Sequence, residues 1–237
     1  MISYNNEMLE KYLLNDWILD LIQKNMSIEE ASIRTNKWLL EMDNKRMIYA
    51  DVYGDVLKAE NNGTQTKKSV LDVGGGVSTL TKILAKNSKY TLCDFLAHGG
   101  KDYIQNHMEE YKLNWLNSDW YYTDFDSYDI IIANDIFPDV DQRLELFIDR
   151  MLPICRELRL VLTYYNEPRF YQMGRSDDSE ILTFLSWDGE ILGMKLKRYL
   201  SRINADITDL EFMSNNKESI YWNLRQVCYL TIKGGII

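Results

Sequence analysis

Apolar residues along the first sixty positions recur at helical spacing. Leu13, Leu14, Trp17, Ile18, Leu21 and Ile22 stand three and four residues apart and lay one stripe along a predicted helix. From about Asn5 to Glu60 the text is rich in Leu, Glu, Lys and Met, without proline and with Gly54 as its one glycine. Ser27 and Glu30 have capping-box spacing, which predicts a second helix running through Trp38 to Leu40. A third is predicted around residues 47–58, ending near Asn61-Asn62-Gly63.

The period changes at Lys67. Short β-rich runs at 69–73, 90–93, 113–116, 130–133 and 158–164 alternate with helical runs at 79–86, 101–111 and 142–151. Strands alternating with helices predict βαβ crossovers and a mainly parallel sheet with helices on both faces, an α/β fold. Such sheets bind ligands at the carboxyl ends of their strands. Beyond Pro168 the pattern is less regular until a helix at 188–202, and β-rich runs at 210–214 and 225–233 are expected to pair as an antiparallel edge. The expected division is an N-terminal helical cap over 1–66 and an α/β domain over 67–237.

Composition narrows the possibilities. No stretch approaches the roughly 20 apolar residues of a bilayer crossing, and the first residues lack the basic and apolar regions of a signal peptide, so a cytoplasmic address is expected. A net charge of -9 and a pI near 4.9 offer no general attraction to phosphate backbones or anionic lipid, which disfavours nucleic acid as a partner. Cys93, Cys155 and Cys228 are far apart and lack metal-ligand spacing, so they read as buried thiols, and no metal is expected.

The most informative segment is Val70-Leu71-Asp72-Val73-Gly74-Gly75-Gly76-Val77-Ser78-Thr79-Leu80, an apolar strand running into glycines and then a helix. A chain that turns sharply while letting a ligand touch its backbone needs residues without Cβ, and Gly74 and Gly76 would shape that turn. Asp94 ends the next apolar run, 22 residues after Asp72, close to the spacing at which an acid accepts hydrogen bonds from a ribose diol. Asp119, after the following candidate strand, sits beside Trp120; such a pair can accept from an adenine amino group and cover its ring.

In order and spacing, VLDVGGGVS, YTLCDF and NSDW resemble the first motif, second motif and adenine-binding turn of class I S-adenosylmethionine (SAM)-dependent methyltransferases. The resemblance covers roughly residues 68–166 and implies a Rossmann-like fold, SAM as cofactor and S-adenosylhomocysteine (SAH) as product. It further implies that Asp72 helps anchor the methionine end of SAM, that Asp94 and Phe95 meet the nucleoside, and that Asn134 and Asp135 border both SAM and the acceptor. The family's third loop glycine is Ser78 here. A nicotinamide-dependent oxidoreductase also uses glycines and a ribose acid, but Thr79 stands where the last glycine of G-x-G-x-x-G belongs. A non-catalytic SAM-binding partner protein is the other alternative.

The acceptor is less legible. Asp135 and Ile136 replace the prolines of the Asn-Pro-Pro-aromatic tetrad found in N-methyltransferases of planar bases and amides. Asp139 and Asp141 read as a solvated cap on the helix starting at Gln142. His98, in a loop after Asp94, is the candidate base beside Asp135, while His107 falls within a helix. Tyr165 and Arg169 lie in a hydroxyl-rich segment that suits a polar small molecule such as a sugar or a phosphorylated metabolite. A looser similarity to methyltransferases of bacterial capsule and polysaccharide clusters points the same way. The N-terminal helices are expected to form a lid, with Arg46 or Tyr53 on the SAM carboxylate, and the protein to act as a monomer or homodimer.

Overall fold

The computed structural model describes residues 1–59, 66–97, 99–174, 181–215 and 218–236. Seven strands form one mainly parallel sheet. They are β1 (Ile2–Ser3), β2 (Ser69–Val73), β3 (Lys89–Cys93), β4 (Asn114–Leu116), β5 (Tyr128–Phe137), β6 (Cys155–Tyr164) and β9 (Gln226–Lys233), in the order β1-β9-β6-β5-β2-β3-β4. β7 (Arg169–Gly174) and β8 (Ile181–Ser186) make a separate antiparallel ribbon. The chain falls into two compact units, Leu9–Ile132 and Met1–Met8 with Ala133–Ile237.

In the Leu9–Ile132 unit, β2 and β3 pair in parallel from Ser69 opposite Lys89 to Val73 opposite Cys93, and β3 pairs in parallel with β4. α5 (Thr79–Asn87) connects the first pair and α6 (Lys101–Tyr111) the second. Both strands are buried along their apolar runs, as expected of a parallel sheet covered on its faces.

The first two helices predicted for the N-terminal text are broken into shorter ones. α1 (Asn6–Leu13) stops, and Asp16 caps α2 (Trp17–Asn25) by accepting from the Leu19 N–H. The expected stripe is therefore split: Ile18 and Ile22 are buried, whereas Leu13 and Leu14 face solvent. The Ser27–Glu30 box forms, with Ser27 N–H on the Glu30 carboxylate at 2.7 Å and Glu30 N–H on Ser27 Oγ at 3.2 Å. It opens a single 3₁₀ turn (Glu30–Ser32), and extended backbone at Ile33 separates it from α3 (Arg34–Glu41) and α4 (Asp43–Leu57).

In the other unit, β9 runs antiparallel to β6, Gln226 opposite Tyr164, and β1 adds to β9. The run expected as a strand at 210–214 lies instead within α9 (Ile207–Asn215). Helical spacing there turns Leu210 and Met213 inward and Phe212 outward, and the Leu210 backbone lies against Gly193 of α8 (Gly189–Leu196). β9 thus finds its partners in β6 and β1. α7 (Leu144–Met151) precedes β6. No helix among the described residues is long and apolar enough to cross a membrane.

Candidate functional site

At the end of β2, Gly74 and Gly76 take φ values of 68° and 65°, the left-handed region that residues without Cβ enter freely. The sharp turn expected there is formed. Gly74 N–H closes onto the Cys93 carbonyl at 2.9 Å, and Ser78 starts α5 with a reciprocal capping box to Thr81.

Gly75, which the sequence did not single out, lies closer to a side chain than Gly76 does. A Cβ on it would stand 2.3 Å from Asp72 Oδ2 and 2.6 Å from Oδ1. The Asp72 carboxylate lies 1% exposed beneath the loop, accepting from Tyr90 OH at 2.6 Å and Tyr53 OH at 3.2 Å. Burial pushes its carboxyl up to about 7, assisted by the charge of Asp94 and opposed by the two tyrosine hydrogen bonds.

Asp94 follows β3. Its Oδ2 accepts from Gly76 N–H at 2.8 Å and its Oδ1 from Leu96 N–H at 2.6 Å, tying the ribose-acid candidate to the glycine turn. A carboxylate has about four acceptor positions, so a vicinal diol can be bonded beside these two amides. Phe95, next to it, is 51% exposed, an apolar surface suited to a planar ring. Asp119 ends the loop after β4 and caps the Trp120–Tyr122 turn by accepting from Tyr121 N–H at 2.7 Å. Asp94 and Asp119 both act electrostatically on the buried Cys93 thiol, which burial first and then these charges push up to about 12. The three expected acids thus occupy one neighbourhood, although Asp72 points beneath the loop. Trp120 is buried and meets Tyr121 edge-on at 5.8 Å, so it presents no bare face for stacking.

Two candidates from the N-terminal helices are committed elsewhere. Tyr53 serves Asp72. Arg46 bonds Asp16 through Nε at 2.7 Å and the Leu39 and Leu40 carbonyls through Nη1, closing the end of α3 rather than offering its charge to a ligand carboxylate. His107 packs between Tyr103 and Tyr111, and His98 lies outside the described residues.

A polar network unforeseen in the sequence braces the loop. Glu30, fully buried, accepts from Lys82 Nζ at 2.8 Å and Tyr103 OH at 2.7 Å besides Ser27 N–H. Burial alone would raise its carboxyl, but these donors hold it below the usual range. Asn36 donates to the Glu30 carbonyl and accepts from Thr79 N–H at 2.8 Å, so the 3₁₀ turn and α3 grip the first turn of α5.

The Ala133–Ile237 unit carries a second cluster. Asp135 has φ 64° and accepts from Thr163 Oγ1 at 2.9 Å and Arg225 Nη1 at 3.2 Å. Arg225 reaches it because β9 is antiparallel, which brings the residue before its first to the end where β6 finishes. The guanidinium stacks over Tyr221 at 4.1 Å. Asp139, expected as a solvated cap, is buried and accepts from Ser186 Oγ at 3.0 Å and Tyr165 OH at 3.4 Å. Burial, reinforced by the Asp135 charge, raises its carboxyl against the pull of Ser186 and Arg225. Asp141 accepts from Arg143 N–H ahead of α7, whose N-cap residue, Arg143, has no side-chain cap. Arg169 lies 4.7 Å over the Tyr165 ring, so the two expected acceptor residues are together, and Asn134 is half-buried.

No protein-family model matches the sequence, and no curated protein matches it significantly. Solved structures do resemble it. The plantazolicin methyltransferase BpumL, in complex with a triazolic desmethylPZN analog and SAH, aligns over 96% of this chain and 100% of its own at 14% identity, with a TM-score of 0.50. A DhpI–SAH complex aligns over 98% and 99% at 12% identity with a TM-score of 0.48. Coclaurine N-methyltransferase aligns over 96% and 92% at 15% and 0.47. At these identities the likeness is one of fold: the chain has the Rossmann-like fold of class I methyltransferases.

Proposed function

We propose that the protein is a SAM-dependent methyltransferase acting on an O or N atom of a polar small molecule. The observation that carries this reading is the arrangement of Asp94, tied through Gly76 N–H to a left-handed glycine turn and flanked by exposed Phe95. The SAH held by BpumL supports it. When bound, SAM would supply a methyl carbon already activated by its sulfonium.

In this reading Asp94 bonds the ribose hydroxyls, Phe95 covers the adenine, and Asp119 accepts at the adenine edge. Gly74 and Gly76 let the methionine portion lie against backbone. Asp72 acts from beneath, holding the loop through Gly75 rather than touching the ligand. Asn134 and Asp135 serve the acceptor, with Tyr165 and Arg169 beside it. Aligning a nucleophile can contribute roughly 7–11 kcal/mol, and a base taking its proton about 10²- to 10⁴-fold more. Asp135, fixed by Thr163 and Arg225, is the candidate for that proton. A sugar or phosphorylated metabolite is the acceptor class this unit's polar residues suit, and the looser sequence resemblance points to surface-polysaccharide assembly.

Calorimetry with SAH is the test. Binding to the wild type is expected, with affinity lowered about 100-fold in Asp94→Ala, since each hydrogen bond to a carboxylate contributes about 1.5–3 kcal/mol. Absence of binding to folded protein, or equal affinity in the variant, overturns the reading. A fluorescence change with a reduced nicotinamide instead would favour an oxidoreductase.

A further inference from the structure

Arg225 is more than a counter-charge for Asp135. Its Nη1 is the nitrogen on the carboxylate, and Tyr221 holds the plane of the guanidinium. Nε is buried and has no hydrogen-bond partner among the described residues. Nε and Nη2 share the side edge of a guanidinium, two parallel donors whose spacing matches the oxygens of a carboxylate or phosphate. In Arg225 the Nε donor of that edge has no acceptor among the described residues, although the side chain is only 18% exposed. A buried donor without a partner is costly to maintain.

The surroundings fit an anion site. Asp139 is the other carboxyl near Arg225, and its oxygens are taken up by the hydroxyls of Ser186 and Tyr165. Tyr165 and Tyr221 are the phenols that sense the Arg225 charge, and Arg169 adds a second cation over the Tyr165 ring. Asp135 already occupies the opposite corner of the guanidinium, so its plane is fixed before any ligand arrives.

We infer that Arg225 is a specificity-determining residue that takes an oxyanion of the acceptor, carboxylate or phosphate, on its Nε–Nη2 edge. Calling that anion part of a methyl acceptor rests on the function proposed above; the anion site itself does not.

The test is NMR observation of the Arg225 Nε–Hε signal in the intact protein, assigned through its own side-chain carbons. Acetate, inorganic phosphate and, as a control, chloride are titrated at constant ionic strength. A saturable downfield shift with acetate or phosphate, absent with chloride, is expected, and the stronger of the two identifies the planar or tetrahedral group. Arg225→Lys, which keeps the charge but not the fork, is expected to weaken the anion's binding about 10-fold, read from the signals of neighbouring residues. No saturable shift, or an equal response to all three salts, leaves Arg225 a structural partner of Asp135 and overturns the inference. SAH binding measured in the same sample separates the two proposals. SAH binding without an anion response defeats this inference alone, and an anion response without SAH binding defeats the methyltransferase reading alone.

Discussion

Gly75→Ala tests whether the glycine turn is locked from below. Gly75 does not lie in the left-handed region, so alanine meets no backbone penalty there, and the whole cost is contact. Its Cβ would stand 2.3 Å from Asp72 Oδ2, and reaching even 3.0 Å needs a shift of about 0.7 Å. Oδ2 is the atom that Tyr90 holds at 2.6 Å, with no room in a fully buried setting for it to retreat. Losing or bending a hydrogen bond to a charged group costs about 1.5–3 kcal/mol, and overpacking costs about 1–3 kcal/mol. A destabilisation of about 3 kcal/mol is expected, or about 1 M in urea midpoint at a slope near 3 kcal/mol/M. In an Asp72→Ala background the clashing atoms are gone and the added methyl partly fills the space, so the same substitution should cost under about 1 kcal/mol. Equal costs in the two backgrounds would refute the argument.

Asp72 also makes a pH prediction. Its folded value near 7 exceeds the unfolded value of 3.8, so this group's stabilising contribution is full below about pH 4 and is lost as pH rises through 7. Relative to Asp72→Asn, wild type should lose about 2.5 kcal/mol between about pH 5 and pH 8, read from urea midpoints; a constant difference counts against it. Glu30→Ala should destabilise by about 3–5 kcal/mol in thermal or urea unfolding, because Lys82 and Tyr103 lose a fully buried partner. Glu30→Gln, which retains an acceptor, should cost less; if both cost under about 0.5 kcal/mol, the network is not bracing the loop.

Where local pattern and tertiary environment agree, the sequence is transparent. β2 and α6 fall where periodicity places them, and the Gly74–Gly76 turn forms as its composition requires. The failures have specific causes. Leu210-Glu211-Phe212-Met213-Ser214 is too short for its apolar run to choose between strand and helix, and contact with Gly193 decides it. β7 and β8 leave little pattern in the sequence because Phe170 and Leu185, paired across the ribbon, are exposed rather than marking a buried face. Arg225 meets Asp135 across 90 positions of chain, a contact that only the reversed direction of β9 creates. Gly75 could have been found: a glycine three residues after a buried acid is a place to ask what the acid touches.

The left-handed backbone of Asp135 restricts how this chemistry can diverge. Of the common residues, glycine, asparagine and aspartate enter that conformation most cheaply. Descendants of this sequence therefore have a short menu at the position nearest the proposed proton transfer: an acid, its neutral amide, or no side chain at all. New acceptor preferences would have to arise by changing the partners that aim this residue, leaving the residue itself nearly fixed.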